Sequence, residues 1–133
     1  MKPVAIGRTY SHRVQTSRSH TAARYGNKGV EVVATPVLIG FLETAAHECI
    51  RPSLEEGEGS VGTHVNVRHR AAALPGAVVE AKATVTGVRG KRVEFAVEAR
   101  AGDVLLMEGS HGRAVVDLRR FFARLGVAPP ADT

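Results

Sequence analysis

The chain has 133 residues, 44% of them hydrophobic and 23% charged, with a formal net charge of +5. That length suits one domain with a core of its own, and the balance is that of a globular chain rather than a disordered one. No apolar run approaches the roughly 20 residues that cross a bilayer, the first ten residues hold no long apolar signal segment, and the one cysteine excludes an internal disulfide and fits a reducing cytoplasm.

In chain order, residues 8–15 (RTYSHRVQ) alternate loosely and predict a first strand. Residues 16–29 are small and polar, with a short helical turn expected near residues 20–24 and a loop ending at Gly29. Residues 34–52 (ATPVLIGFLETAAHECIRP) carry the longest helical pattern. Thr35 is suited to cap this helix with its hydroxyl, and Pro36 to open it, because its missing N–H costs nothing there. Pro52 and the Gly-rich residues 57–62 are expected to end it. Val37, Leu38, Ile39, Phe41, Leu42, Ala45, Ala46, Cys49 and Ile50 cover most of its circumference, which predicts burial on most sides.

After Gly62 the period changes to two. Thr63, Val65, Val67, His69 and Ala71 point one way and His64, Asn66, Arg68 and Arg70 the other, as in a half-buried strand. Further strands are expected over residues 78–88, 92–100 and 104–116, separated by turns at 88–91 and 101–103. Gly109 and Gly112 interrupt the last strand and suggest a bulge or a close approach. Asp117 can cap a short helix over 118–125, and a loose tail is expected from about residue 126. Strands joined by tight turns form an antiparallel meander. With one long apolar helix, the class is α+β, a sheet wrapped over a helix in a single domain spanning residues 1–133.

Three polar groups stand where the pattern wants apolar ones or a helix end: Thr35, Glu43 and His69. A carboxylate inside a largely apolar helix must be paired, neutralised or used. If the strand bearing His69 packs near the helix, a hydroxyl, a carboxylate and an imidazole could meet at one pocket, a set suited to acyl transfer. Free amides at the helix start suit an oxyanion, and Gly62 allows a close backbone approach. Each also has a plainer reading: Thr35 as a cap, Glu43 as an edge carboxylate reaching water, His69 as a satisfied core histidine. No Cys/His grouping has zinc spacing, so no metal is expected. The basic excess suits either a nucleic-acid backbone or a small polyanionic ligand. Its residues are scattered and no aromatic interleaves with them, so no nucleic-acid partner is expected.

The helix segment ATPVLIGFLETAAHECI, the segment GEGSVGTHVNVRHRAAALPG, the turn VRGKRVEF and the end GSHGRAVVDLRRF, in this order and spacing, resemble the hotdog-fold acyl-CoA thioesterases, in the group that contains fluoroacetyl-CoA thioesterase. The resemblance implies a long central helix wrapped by an antiparallel sheet. It also implies a homodimer, with tetramers as an alternative, whose acyl-CoA sites lie at the dimer interface. The family's catalytic threonine, glutamate and histidine fall on Thr35, Glu43 and His69, and its substrate-contacting glycine on Gly62. The implied reaction is hydrolysis of an acyl-CoA thioester without a separate cofactor, CoA being part of the substrate. Whether Thr35 or Glu43 attacks stays open, and a non-catalytic acyl-CoA sensor on the same fold is the alternative. Two departures bear on selectivity. The fluoroacetyl-specific relatives have a longer, Phe-rich segment before the helix, where this chain has SRSHTAARYGNKG, and Pro36 stands where they have glycine at the acyl site.

Overall fold

The computed structural model describes residues 1–131. Five strands, β1 (Thr9–Gln15), β2 (Glu58–His69), β3 (Val78–Arg89), β4 (Arg92–Ala101) and β5 (Val104–Asp117), form one antiparallel sheet in the order β1-β3-β4-β5-β2. The long helix α1 (Thr35–Ile50) lies in the concave face, and the short helix α2 (Leu118–Arg124) follows β5. Short 3-10 turns at Arg18–His20 and Ala22–Tyr25 carry the chain from β1 towards α1, held by a bridge between Thr21 and Val33. This is the α+β arrangement expected.

The core lies between α1 and the central strands. Leu38, Leu42, Ala45, Ala46, Cys49 and Ile50 of α1 meet Val79, Ala81, Ala83 and Val85 of β3 and Val93, Phe95, Val97 and Ala99 of β4. The alternation read from the sequence is the alternation that is buried. The alanines let the helix lie close to the sheet. The large side chains fill what remains, each contributing about 1.5–3 kcal/mol on burial. Cys49 is buried, and burial pushes its thiol pKa up, so it is an inert core residue.

Three expectations are corrected. First, Thr35 does not cap α1. Ala34 is the N-cap, Thr35 is the first helical residue, and its side chain accepts no capping bond. Pro36 tolerates a position one residue further in because that N–H is also an orphan of the first turn. Second, the Gly-rich run does not end α1. The helix stops at Ile50, the chain passes through a 3-10 turn at Arg51–Ser53, and β2 begins at Glu58, before Gly62. Third, the apolar face of β2 is only partly covered within the chain: Val67 packs against the core, but Val65 does not share its burial. β2 is an edge strand, and Val65 is 38% exposed because only β5 flanks it.

The two glycines of β5 mark close approaches. A Cβ on Gly109 would sit 2.0 Å from the Asn66 carbonyl oxygen, and one on Gly112 would sit 2.3 Å from the His64 ring. Gly90 and Gly102 take positive φ in the two hairpin turns. Asp117 caps α2 by accepting from the Arg120 amide. Residues 127–131 form neither helix nor strand, and the last two residues of the predicted loose tail lie outside the described residues.

Candidate functional site

Relieved of capping, the Thr35 hydroxyl lies 2.8 Å from Nδ1 of His69. The helix start and the end of β2 thus hold a hydroxyl and an imidazole at nucleophile–base distance. Both residues are exposed in the single chain.

Eight residues along α1, about 12 Å at helical rise, a second polar cluster forms. Arg113 of β5, 7% exposed, donates from Nη1 to Glu43 Oε2 at 3.3 Å. It also donates from Nε to Ser60 Oγ and from Nη2 to the Ser60 carbonyl, both at 2.9 Å. The Glu43 carboxylate occupies the space a side chain at 62 would need, since a Cβ on Gly62 would sit 2.7 Å from Oε2. Gly62 therefore makes room for Glu43, in addition to any approach by a ligand.

One irregularity in β2 aligns the two clusters. The register with β5 slips between Gly62 and His64, so Thr63 is an extra residue, a β-bulge. Before it, Gly62 lies opposite Arg113; after it, Val65 lies opposite His111 and His69 opposite Met107. Directly opposed residues share a face. The bulge therefore puts even-numbered Ser60 and Gly62 on the same concave face as odd-numbered Val65, Val67 and His69. Strict alternation across Gly62 would not do this.

Two further histidines complete the second cluster. His111, 1% exposed, pairs Nδ1 with the His64 carbonyl at 2.8 Å and presents Nε2 to Arg113 Nη1 at 3.3 Å. His47, one turn beyond Glu43 on α1, places Nδ1 2.6 Å from Ser60 Oγ. Burial, with the Arg113 charge as a further cause, lowers the pKa of both histidines, although the bond to the His64 carbonyl partly offsets this at His111. Burial lowers Arg113 from its ordinary value, and Glu43 pulls it back up.

Of the predicted site residues, Thr35 and His69 meet, Glu43 and Gly62 meet, and the two pairs stand apart within one chain. Pro36 is exposed and lines a groove of about 660 Å3 on the other flank of α1, beside His12, His20 and Phe41. Sequence reasoning gave no part to Arg113, Ser60 or His47. One signal was available: a carboxylate on a helix that must be paired requires a cation, and Arg113 is flanked by the apolar run of β5. Among the described residues no group of three or more His, Cys, Asp or Glu could hold a metal, and no helix is long and apolar enough to cross a membrane.

Comparison with known proteins identifies the family and the fold. A family model described as fluoroacetyl-CoA-specific thioesterase matches residues 16–119. A fluoroacetyl-CoA thioesterase of Streptantibioticus cattleyicolor is 40% identical over 101 residues, 76% of this chain and 73% of that one. A solved structure of a fluoroacetyl-CoA thioesterase superposes with a TM-score of 0.87 at 30% identity, covering 94% of this chain and 97% of that one. A threonine-to-serine variant of such an enzyme, in complex with acetyl-CoA, gives 0.88 at 32% identity over 92% and 97%. A thioesterase superfamily member from Thermus thermophilus gives 0.85 at 30% identity over 95% and 96%.

Proposed function

The chain belongs to the fluoroacetyl-CoA-specific thioesterase family and hydrolyses acyl-CoA thioesters, and we propose that Thr35 and His69 carry out the chemistry opposite a Glu43–Arg113 pair supplied by a second copy of the chain. The observation that carries this reading is the 2.8 Å contact between Thr35 Oγ1 and His69 Nδ1. In the proposed cycle His69 takes the Thr35 proton as Oγ1 attacks the thioester carbonyl. The C–S bond breaks and His69 returns the proton to the departing CoA sulfur. Water, deprotonated by His69, then attacks the threonyl ester; the bond from the acyl carbon to Oγ1 breaks, the acid leaves, and His69 returns the proton to Thr35 Oγ1. Pro36 has no N–H and those of Val37 and Leu38 bond to the Ala34 carbonyl, so the Thr35 amide is the one offered to the developing oxyanion. Glu43 is the weaker candidate for attack because its carboxylate is held by Arg113.

The homodimer is proposed from β2. Its outer edge is unpaired and its residues are exposed from Gly62 to His69, apart from half-buried Val67. A long exposed edge of this kind is a template for strand pairing. Setting this run antiparallel against itself brings the partner's His69, with Thr35, alongside Gly62 and Glu43. The separation seen within one chain is then closed between chains. A short acyl group is favoured, because charged and polar side chains rather than apolar ones lie beneath Gly62. Fluoroacetyl-CoA and acetyl-CoA are the first esters to compare. The segment before α1 has no phenylalanine, and this supports a broader selectivity than the family's namesake. A reducing, cytoplasmic setting is proposed from the single buried cysteine.

Thiol release from a panel of acyl-CoA esters tests the activity. Mixed dimers of His69→Ala and Glu43→Gln test the shared site. Each variant alone is inactive, and a mixed dimer keeps one intact site. Random re-pairing then restores about a quarter of wild-type turnover. No recovery on mixing would place all groups in one protomer.

A further inference from the structure

Arg113, Ser60 and His47 form a hydrogen-bond chain whose direction is set by chemistry. The Arg113 Nε can only donate, so Ser60 Oγ is the acceptor at 2.9 Å. The hydroxyl has one hydrogen left, and its other near partner is His47 Nδ1 at 2.6 Å. A second lone pair on Oγ could also accept from an Nδ1–H, but only donation to Nδ1 gives the Ser60 hydrogen an acceptor in the chain, and this selects an unprotonated Nδ1. His47 is thereby held as the neutral Nε2–H tautomer. On the other side of Arg113 the same reasoning gives the opposite tautomer: His111 donates from Nδ1 to the His64 carbonyl and accepts from Arg113 at Nε2.

We propose that His47 is a positioning residue for thioester hydrolysis. Through Ser60 it aims the Arg113 guanidinium at Glu43, and it does so only while neutral. Protonating Nδ1 removes the acceptor from the chain. Ser60 Oγ then accepts from both Nδ1–H and Arg113 Nε, its own hydrogen has no acceptor in the chain, and Arg113 lies beside a new positive charge. The groups facing His47 do not compensate fully. Arg113 on β5 and Arg51 beyond the helix end oppose the charge, Glu48 on α1 favours it, and Ser60 on β2 is neutral. Glu43, one turn back on α1, is already paired with Arg113. The reaction acquires a second acid-sensitive step, separate from the His69 base.

This inference rests on the reading that the Glu43–Arg113 cluster belongs to the acyl-CoA site, so the experiment includes Glu43→Gln. The pH dependence of kcat/KM is measured for wild type, His47→Leu, His47→Asn and Glu43→Gln, with thermal unfolding to verify the fold. His47→Leu is expected to lower kcat by about tenfold or more, the usual cost of losing an outer partner, with KM little changed. His47→Asn, whose carboxamide oxygen stands where Nδ1 was, restores turnover to within about threefold of wild type. On a logarithmic plot the wild-type acid limb steepens towards a slope of two, while His47→Asn keeps a slope of one. Nitrogen NMR of the wild-type protein near pH 8 is expected to show the Nε2–H tautomer at His47 and the Nδ1–H tautomer at His111. If Glu43→Gln is impaired while His47→Leu keeps wild-type kinetics, or if His47 carries its proton on Nδ1, the inference is overturned and the site reading stands. Wild-type turnover in both variants overturns both.

Discussion

The two ends of the α1–β2 seam are built on opposite principles. At the start of the helix, the side chains of Thr35 and His69 hydrogen-bond to each other, and both residues are open to solvent. Eight residues on, Arg113 is buried and held by Glu43, both acceptors of Ser60 and the ring of His111. A reacting pair must be able to give up its contact, so its bond is left unsupported by the core. A residue that positions others must not move, so its donors are consumed by the fold. Reactivity and stability are thus separated along one seam, and substitutions should report them separately.

The largest expected effect is at the open end. Thr35→Ala or His69→Ala should lower turnover by about 10²–10⁴-fold, the span of nucleophile and proton-transfer losses, while the unfolding free energy stays within about 0.5 kcal/mol. Chemical denaturation alongside thiol release measures both. At the closed end the stability cost should dominate. Arg113→Met leaves Glu43, His111 and the Ser60 carbonyl without their donor and should cost about 2–3 kcal/mol in urea unfolding. This is below the figure for a fully buried pair because Glu43 is 42% exposed. If Arg113→Met were neutral and Thr35→Ala destabilising, the comparison would be reversed.

Gly62→Ala sharpens the contrast. The added methyl would displace the carboxylate of Glu43, a flexible group, so stability should fall by less than about 1 kcal/mol. Turnover should drop by about tenfold because Glu43 leaves Arg113. The smallest expected effect is on pH. His47 and His111 hold protons less tightly folded than unfolded. Their contribution is therefore complete above the ordinary value of 6.5 and is lost as pH falls through and below it. Glu58 acts lower. The Glu55 amide, the Met1 ammonium and Lys91 bring its pKa down to about 2, so its contribution holds above 4.5 and fades towards 2. Unfolding midpoints across pH 8 to 3 should fall in two stages, and Glu58→Gln should remove only the second.

Much of this was legible in the sequence. The period of two in β3 and β4 and the apolar circumference of α1 determined the core, because side-chain alternation there meets α1 on one face and solvent on the other. The turns at Gly90 and Gly102 were readable for the same local reason. Thr35, Glu43 and His69 stood out by contrast with apolar surroundings. Arg113, which pairs with Glu43, and Ser60, which holds Arg113, did not, because they are polar residues in strands where polar residues are ordinary. A threonine before Pro suggests a cap, because capping is its commonest use there. Ala34 took that place, and the hydroxyl was left for His69. The bulge at Thr63 was invisible to a period-two reading, which has no term for an inserted residue.

That inserted residue bears on how the protein can change. A substitution alters one side chain, but loss of Thr63 would shift the phase of half a strand. Either Ser60 and Gly62 or Val65, Val67 and His69 would turn to the convex face, and the two ends of the seam would no longer share a face. Every residue of both clusters would still be encoded. The arrangement therefore depends on chain length at one position as much as on any residue identity. A deletion scan along β2 would find that position, whereas an alanine scan, which preserves the count, would pass over it.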